Sequence, residues 1–228
     1  MPPPDLAARV AEVRAVIERH RAIGGWTHPV RIVAVTKTHG PEAVRAAYQA
    51  GLTDVGENRV QEALPKQEAT ADVRVAWHLI GSLQRNKARQ AVGRFALLHT
   101  VDRVELAAEL DRRVPEGAVQ AVLVQVNCSG EPQKGGCEPA ALPALLDALD
   151  AHPRLAVRGL MTMAAFSADV AEQRRTFRQL RELRDAAEAA GRRLPELSMG
   201  MSGDFAVAVE EGATLVRLGT LLFGEREG

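Results

Sequence analysis

Apolar residues fall at two different periods along this chain, and the two periods alternate. Leu6, Val10, Val13 and Ile17 recur three or four positions apart. That is the spacing of one helix face, and it predicts an opening helix over 5 to 23 that Gly24-Gly25 stops. A compact β-branched run predicts a strand at 30 to 36, after which Pro41 opens a helix to 50 and Gly51 ends it. A short strand at 53 to 55 leads into a helix over 58 to 69. The same unit then repeats. Strand-like stretches at 73–80, 95–101, 119–127, 155–163, 195–199 and 213–218 alternate with helical patterns at 84–92, 103–113, 139–151, 168–190 and 204–211.

Alternating strands and helices imply parallel pairing through right-handed crossovers. Eight such units within 228 residues fit a closed barrel near the small end of its size range. An open doubly wound sheet is the alternative, but its first turn is usually glycine-rich, and here that turn reads Lys37-Thr38-His39-Gly40-Pro41 with no GxGxxG. The expected fold is therefore α/β: a single (β/α)8 TIM barrel with an extra N-terminal helix, one domain over 1–228.

Composition narrows the partners. Lys plus Arg and Asp plus Glu balance at 29 each, so no bulk charge calls for nucleic acid or an anionic membrane. Cys128 and Cys137 lie outside any CxxC or Cys/His cluster and are expected as free thiols rather than zinc ligands or a disulfide. Met1-Pro2-Pro3-Pro4-Asp5 has neither the basic nor the apolar region of a signal peptide, and no apolar run reaches membrane-spanning length. A cytoplasmic protein is expected, and a monomer.

The chemistry gathers after strands, where a barrel places it. Lys37 closes the first strand, and in an apolar mouth its amine is favoured in the neutral form that attacks an aldehyde. Ser202 follows the seventh strand in Ser198-Met199-Gly200-Met201-Ser202-Gly203-Asp204, and Gly219-Thr220 follow the eighth, after Arg217. Both turns open helices, and two helix starts can converge on one phosphate. A lysine for an aldehyde, a phosphate cradle opposite and an arginine between them describe a site for pyridoxal 5'-phosphate.

Here specific wording enters. Val33-Ala34-Val35-Thr36-Lys37, Gly56-Glu57-Asn58-Arg59-Val60-Gln61-Glu62, Trp77 to Lys87, Gln125-Val126-Asn127 with Ser129-Gly130-Glu131 and Lys134-Gly135, and Leu197 to Asp204 resemble the signatures of the pyridoxal phosphate homeostasis protein family. The similarity runs from the opening helix to Phe223-Gly224. It implies a barrel of the alanine racemase N-terminal kind (fold type III), holding the cofactor as a Schiff base without an established turnover reaction. By the same resemblance Lys37 is the Schiff-base lysine and Arg217 faces the pyridine nitrogen. Ser202 with the backbone of Gly219 and Thr220 holds the phosphate, Met199 packs near the ring, and Asn58 lies beside the phenolic oxygen. For Met199 core packing fits equally, and for Asn58 a helix cap does. The chain departs from the family's wording at Arg59, where an aromatic is frequent, and at Ala164-Ala165-Phe166, where a proline is expected.

Other polar features carry plainer readings. Arg174, Arg178 and Arg181 line one face of the long helix, with Glu182 and Glu188 four residues from Arg178 and Arg184, as on a solvated surface. Arg85, Lys87 and Arg89 form a small basic patch beside the third strand's mouth, either a surface helix or an approach path for phosphorylated B6 vitamers. His78 is expected as a core histidine, no acidic partner being identifiable. Two functions follow from the resemblance: a carrier or regulator of B6 vitamers that serves pyridoxal phosphate-dependent apoenzymes, or an amino-acid racemase. Related racemases use a tyrosine from an additional C-terminal domain as second base. Tyr48 is the single tyrosine here, on the helix after the first strand, and the sequence ends at Gly228, which favours the carrier.

Overall fold

The alternation of strand and helix closes on itself. The computed structural model describes residues 5–165, 167 and 169–224; Met1 to Pro4, Phe166, Ala168 and the last residues 225–228 lie outside it. Among the described residues a closed parallel barrel runs in chain order through β1 (Arg31–Val35), β2 (Asp54–Glu57), β3 (Ala76–Leu79), β4 (Leu97–Val101), β5 (Gln120–Gln125), β6 (Leu155–Met161), β7 (Glu196–Ser198) and β8 (Leu215–Leu218). The final strand lies on the first, with Val33 opposite Arg217 and Ala34 opposite Leu218. Helices α2 (Pro41–Gln49), α3 (Val60–Ala69), α4 (Ala88–Ala91), α5 (Val104–Arg113), α6 (Leu142–Leu149), α7 (Val170–Ala189), α8 (Phe205–Glu210) and α9 (Thr220–Phe223) each follow a strand, and α1 (Leu6–Gly24) precedes them all.

The opening helix buries Leu6, Val10, Val13 and Ile17, the four positions its period singled out. It packs against α8, α9 and α2. Gly25 ends it in the left-handed region at φ 74°, its N–H returning to Ala22 and that of Trp26 to Arg21, a Schellman closure. Two predicted helices begin differently. The stretch at 84–92 is a 3₁₀ turn, Arg85–Lys87, before a single turn of α4, and 139–151 starts as the 3₁₀ turn Pro139–Ala141. Pro143 lacks the N–H that would carry an α-helix back to Pro139.

Strand alternation sorts side chains into two apolar zones. Ile32, Ala34, Val55 and Leu160 point outward to the helices, while Val33, Leu97, Leu123, Met161 and Leu215 meet inside the barrel. Polar residues occupy both zones. Outside, Glu57 is fully buried and its Oε1 accepts from Thr36 Oγ1 at 2.6 Å and from Lys66 Nζ at 2.5 Å, while Lys66 also donates to the Thr36 carbonyl at 2.8 Å. The other oxygen, Glu57 Oε2, is buried without a hydrogen-bond partner. The pair joins the end of β1, the end of β2 and α3 at the residue before Lys37.

The arginines of α7 also bind elsewhere than their spacing indicates. Arg174, Arg178 and Arg181 all reach Glu211 just beyond α8, at 3.0, 3.2 and 3.2 Å, and Arg174 also holds Glu210. The expected solvated face is instead a clamp between helices, closed by Arg181 over the Trp26 ring at 5.5 Å. Of the pairs read from spacing, Arg184 with Glu188 approaches to 3.9 Å.

Removing one member of a buried ion pair strands the other charge. Lys66→Met should cost about 3–5 kcal/mol in urea unfolding, and Lys66→Met with Glu57→Leu should recover most of that loss. A single-variant loss under about 1 kcal/mol would show that Glu57 is neutral or hydrated there.

Candidate functional site

At the carboxyl ends of the strands a cavity of about 470 Å³ opens, and six of the seven residues singled out from sequence line it: Lys37, Asn58, Ser202, Arg217, Gly219 and Thr220. Each arrives by a different turn. After β1 the chain folds tightly, with the His39 N–H on the Thr36 carbonyl at 3.1 Å and Thr38 at φ 67°. A β-branched residue in the left-handed region is strained, and this one follows Lys37 directly. Pro41 then starts α2, whose N-cap is Gly40.

Asn58 is not the cap of α3, since Arg59 occupies that place. It leaves β2 against Gly81, where a Cβ would lie 2.2 Å from the Asn58 carbonyl oxygen. Only glycine lets the two loops approach so closely. The cavity wall there continues with Ile80, Ser82 and Thr100, the last donating to the Gly81 carbonyl at 2.8 Å.

Met199 is placed elsewhere. Ser198 points into the barrel, so its neighbour points out, and Met199 is fully buried in the core between sheet and helices. Gly200 then turns the chain at φ 92°, where a Cβ would come within 2.6 Å of Ala208. Beyond that turn Met201 reaches the cavity, as does Met163 from the end of β6. The Asp204 carboxylate accepts from the Met201 N–H at 2.5 Å and ties down this turn. Burial pushes that carboxyl up, against the Met201 bond and the charge of Arg217. Ser202 Oγ accepts from the Leu221 N–H at 3.4 Å, drawing the turns after β7 and β8 together.

Arg217 stands at the cavity floor, 3% exposed, with Nη1 on Ser198 Oγ at 2.7 Å and Nη2 on the Thr162 carbonyl at 2.9 Å. Burial pushes its pKa down to about 10, Asp204 acting against the shift, so it remains a cation at neutral pH. Below it the polar residues continue. His99 Nδ1 lies 2.9 Å from Ser198 Oγ, His99 Nε2 lies 2.8 Å from His78 Nδ1, and His78 Nε2 lies 3.0 Å from Asp54 Oδ1. The acidic partner of His78, unidentified from sequence, is thus Asp54. Residues of neighbouring strands face the same way in a parallel sheet, and Asp54 and His78 both fall on inward positions. Desolvation, helped by the charges of Arg217 and Arg31, holds His99 well below its usual pKa.

Lys134 and Gln125 close the far wall, with Gln125 Nε2 donating to the Lys134 carbonyl at 2.8 Å. Lys87 lies outside the cavity, in a neighbouring cleft shared with Asn58 and Ser82, and Arg85 and Arg89 are exposed. Both cysteines are free, and burial pushes Cys128 up to about 12 and Cys137 up to about 11, so neither is a thiolate. Among the described residues no His, Cys, Asp or Glu group is arranged to hold a metal, and no helix is long and apolar enough to cross a membrane.

Barrel, lysine, buried arginine and two converging turns together define a class of fold and site. The family model for the alanine racemase N-terminal domain matches residues 11–227. An alanine racemase of Clostridium difficile 630 shares the fold, with a TM-score of 0.76 at 14% identity over 94% of this chain and 58% of that one. Nearer relatives narrow the class: the pyridoxal phosphate homeostasis proteins of Aquifex aeolicus and Pseudomonas aeruginosa. The first is 47% identical over 199 residues, 86% of this chain and 87% of its own length; the second is 45% identical over 224 residues, 97% and 96%. The chain belongs to the pyridoxal phosphate homeostasis protein family. PipY of Synechococcus elongatus, whose structure has been solved with pyridoxal phosphate bound, is 41% identical with a TM-score of 0.84 over 96% of this chain and all 100% of that one.

The depressed pKa of His99 has a signed consequence. The unfolded chain takes up a proton near pH 6.5 while folded His99 stays neutral, so its contribution to stability is constant above that pH and is lost as pH falls below it. The slope approaches about 1.4 kcal/mol per pH unit. Urea unfolding of the cofactor-free protein from pH 7.5 to 5 should show this loss, and a folded His99→Gln variant should show a flatter dependence; parallel curves would remove the burial argument.

Proposed function

We propose that the chain binds pyridoxal 5'-phosphate in the barrel mouth, as a Schiff base on Lys37, and acts as a carrier or regulator in intracellular pyridoxal phosphate homeostasis. The observation that carries this reading is the opening of Lys37, Arg217, Ser202, Gly219 and Thr220 on one cavity of about 470 Å³. The names of the homeostasis relatives and the bound ligand of PipY support it. Other B6 vitamers and pyridoxal phosphate-dependent apoenzymes are the proposed partners, and the working form is a single-domain monomer.

The residues suit the group in separate ways. Bound here, the cofactor supplies an aldehyde that condenses with an amine, releasing water, and a ring that draws electron density. Lys37 provides the amine from a turn anchored by Lys66 and Glu57. The Ser202 hydroxyl and the backbone of Gly219 and Thr220 receive the phosphate, their glycines leaving the backbone accessible. Asn58 lies beside the phenolic oxygen, and Met201 takes the place against the ring that the sequence reading assigned to Met199. Arg217 donates toward the ring nitrogen and, as a permanent cation, leaves that nitrogen without a proton. A ring held so is a weak electron sink, which favours holding and handing over the group above carbanion chemistry. Tyr48 does not serve the site: it stands on the outer side of α2, 41% exposed, so among the described residues no tyrosine faces Lys37 across the cavity.

Borohydride reduction of the loaded protein followed by peptide mapping should place the cofactor on Lys37. Label confined to Lys134, the other lysine of the cavity wall, would move the attachment site. Loaded protein should also activate a separate pyridoxal phosphate-dependent apoenzyme while exchanging no α-proton of alanine with deuterated solvent. Turnover near 1 s⁻¹ or faster, abolished by Lys37→Ala, would establish the racemase instead.

A further inference from the structure

The inside of such a barrel is usually filled by aliphatic side chains; here an unbroken line of polar groups crosses it. From the cavity downward it runs Arg217, Ser198, His99, His78, Asp54, through contacts of 2.7, 2.9, 2.8 and 3.0 Å. At the opposite end Arg31 Nη1 donates to Asp54 Oδ1 at 2.9 Å, and Arg31 Nη2 to Glu196 Oε1 at 2.8 Å. His78, His99 and Ser198 are at most 2% exposed, and none of the three lines the cavity.

The two ends fix the outermost bonds of the line. A guanidinium only donates and an ionised carboxylate only accepts. Ser198 Oγ accepts from Arg217, which leaves its own proton for His99 Nδ1. With that nitrogen bare, the proton of neutral His99 sits on Nε2 and points at His78 Nδ1. His78 accepts there and carries its proton on Nε2, toward Asp54. In this arrangement each donor finds an acceptor and each imidazole carries one proton, on Nε2 in both. Running the line the other way would give His99 an Nδ1 proton, leave the Ser198 hydroxyl without this acceptor, and require either an imidazolium at His78 or a bare nitrogen facing the carboxylate. Burial, with the charge of Arg217 nearby, holds His99 well below its usual pKa, which agrees with a neutral His99.

We propose that this line is a positioning device for the cofactor site: His99 and His78 hold Arg217 against the cofactor's ring nitrogen, and Asp54, at the far end of the barrel, sets the direction in which all of them donate. Neither histidine touches the cofactor. The proposal rests on the reading that places the ring nitrogen at Arg217, and it adds that residues two and three links away govern that contact. An arginine held only by packing would let its guanidinium swing among rotamers; one anchored through Nη1 on Ser198 and through Nη2 on the Thr162 carbonyl is held in one.

Two measurements test it. In cofactor-free protein at pH 7.5, ¹⁵N NMR should show His78 and His99 neutral and protonated on Nε2; an Nδ1 proton or an imidazolium on either would overturn the proposal without reference to the cofactor. In loaded protein, His99→Leu, which breaks the line, should weaken cofactor retention roughly fivefold, as the loss of one net hydrogen bond implies, and should shift the pKa of the linkage to Lys37 read from its visible absorption. His99→Asn, which keeps an acceptor near Ser198, should recover part of both effects. A His99→Leu protein that is folded by circular dichroism and unchanged in retention and linkage pKa would overturn the proposal. Should it not fold, Ser198→Ala removes the link at Arg217 itself and is read by the same two quantities. Arg217→Lys separates the failures: if it too leaves the cofactor unchanged, the ring nitrogen is not at Arg217 and the site reading has failed, whatever the tautomers show.

Discussion

Pairing β8 against β1 is the constraint on which the rest depends. The pairs from Arg31 with Leu215 to Ala34 with Leu218 across that seam close the barrel, leave no sheet edge among the described residues and bring the first and last strands to one place. Lys37 leaves β1 a few residues beyond Ala34, and Gly219 leaves β8 directly beyond Leu218, the residue paired with Ala34. An amine at Lys37 and a candidate phosphate cradle at Ser202, Gly219 and Thr220, far apart in sequence, thus share one cavity without either being on a long loop. The seam also turns Arg217 inward beside Val33, and its guanidinium then has only the barrel interior in which to find partners.

Burying charge in such an interior demands compensation, and the protein supplies it twice by different means. Outside the sheet, Lys66 meets Glu57 directly and both engage Thr36, so the electrostatic term and the fixing of the Lys37 turn are one interaction. Inside, among the described residues, no carboxylate pairs with Arg217. Its hydrogen bonds go to a hydroxyl and a carbonyl, and the nearest carboxylate of the line, Asp54, lies beyond two imidazoles. Bonds of this kind reinforce one another in a low dielectric, and a fully satisfied chain specifies orientation where aliphatic packing would leave rotamer freedom. The aliphatic cluster of Val33, Leu97, Leu123, Met161 and Leu215 shares this interior and excludes water from it.

Much of this architecture is legible in sequence because it is local. The helix of Leu6, Val10, Val13 and Ile17 shows in its own spacing, and β1 in its own β-branched run. Lys37 and Ser202 are readable since each lies in the turn that follows a strand, and in a barrel the turns after strands share one mouth. Met199 was readable only as one of two possibilities, because in-or-out alternation has to be counted from a known inward residue. Once Ser198 is seen to enter the barrel, Met199 must leave it and Met201, past the turn at Gly200, becomes the residue at the cavity.

By itself the sequence determined the order and type of elements, the eight-unit repeat that closes a barrel, and the residues whose chemistry suits an aldehyde and a phosphate, since all of these depend on neighbours along the chain. Tertiary structure alone decided the partners. Asp54 meets His78 across 24 positions, Lys66 meets Thr36 across 30, and the arginines of α7 reach Glu211 across 30 to 37. The helical spacing of Glu182 from Arg178 offered a nearer partner that Arg178 does not take, because Glu211, buried at the helix junction, leaves its charge unsatisfied without those arginines. Such pairings are set by strand register and by which side chains desolvation forces together, and neither is written in the spacing of consecutive residues.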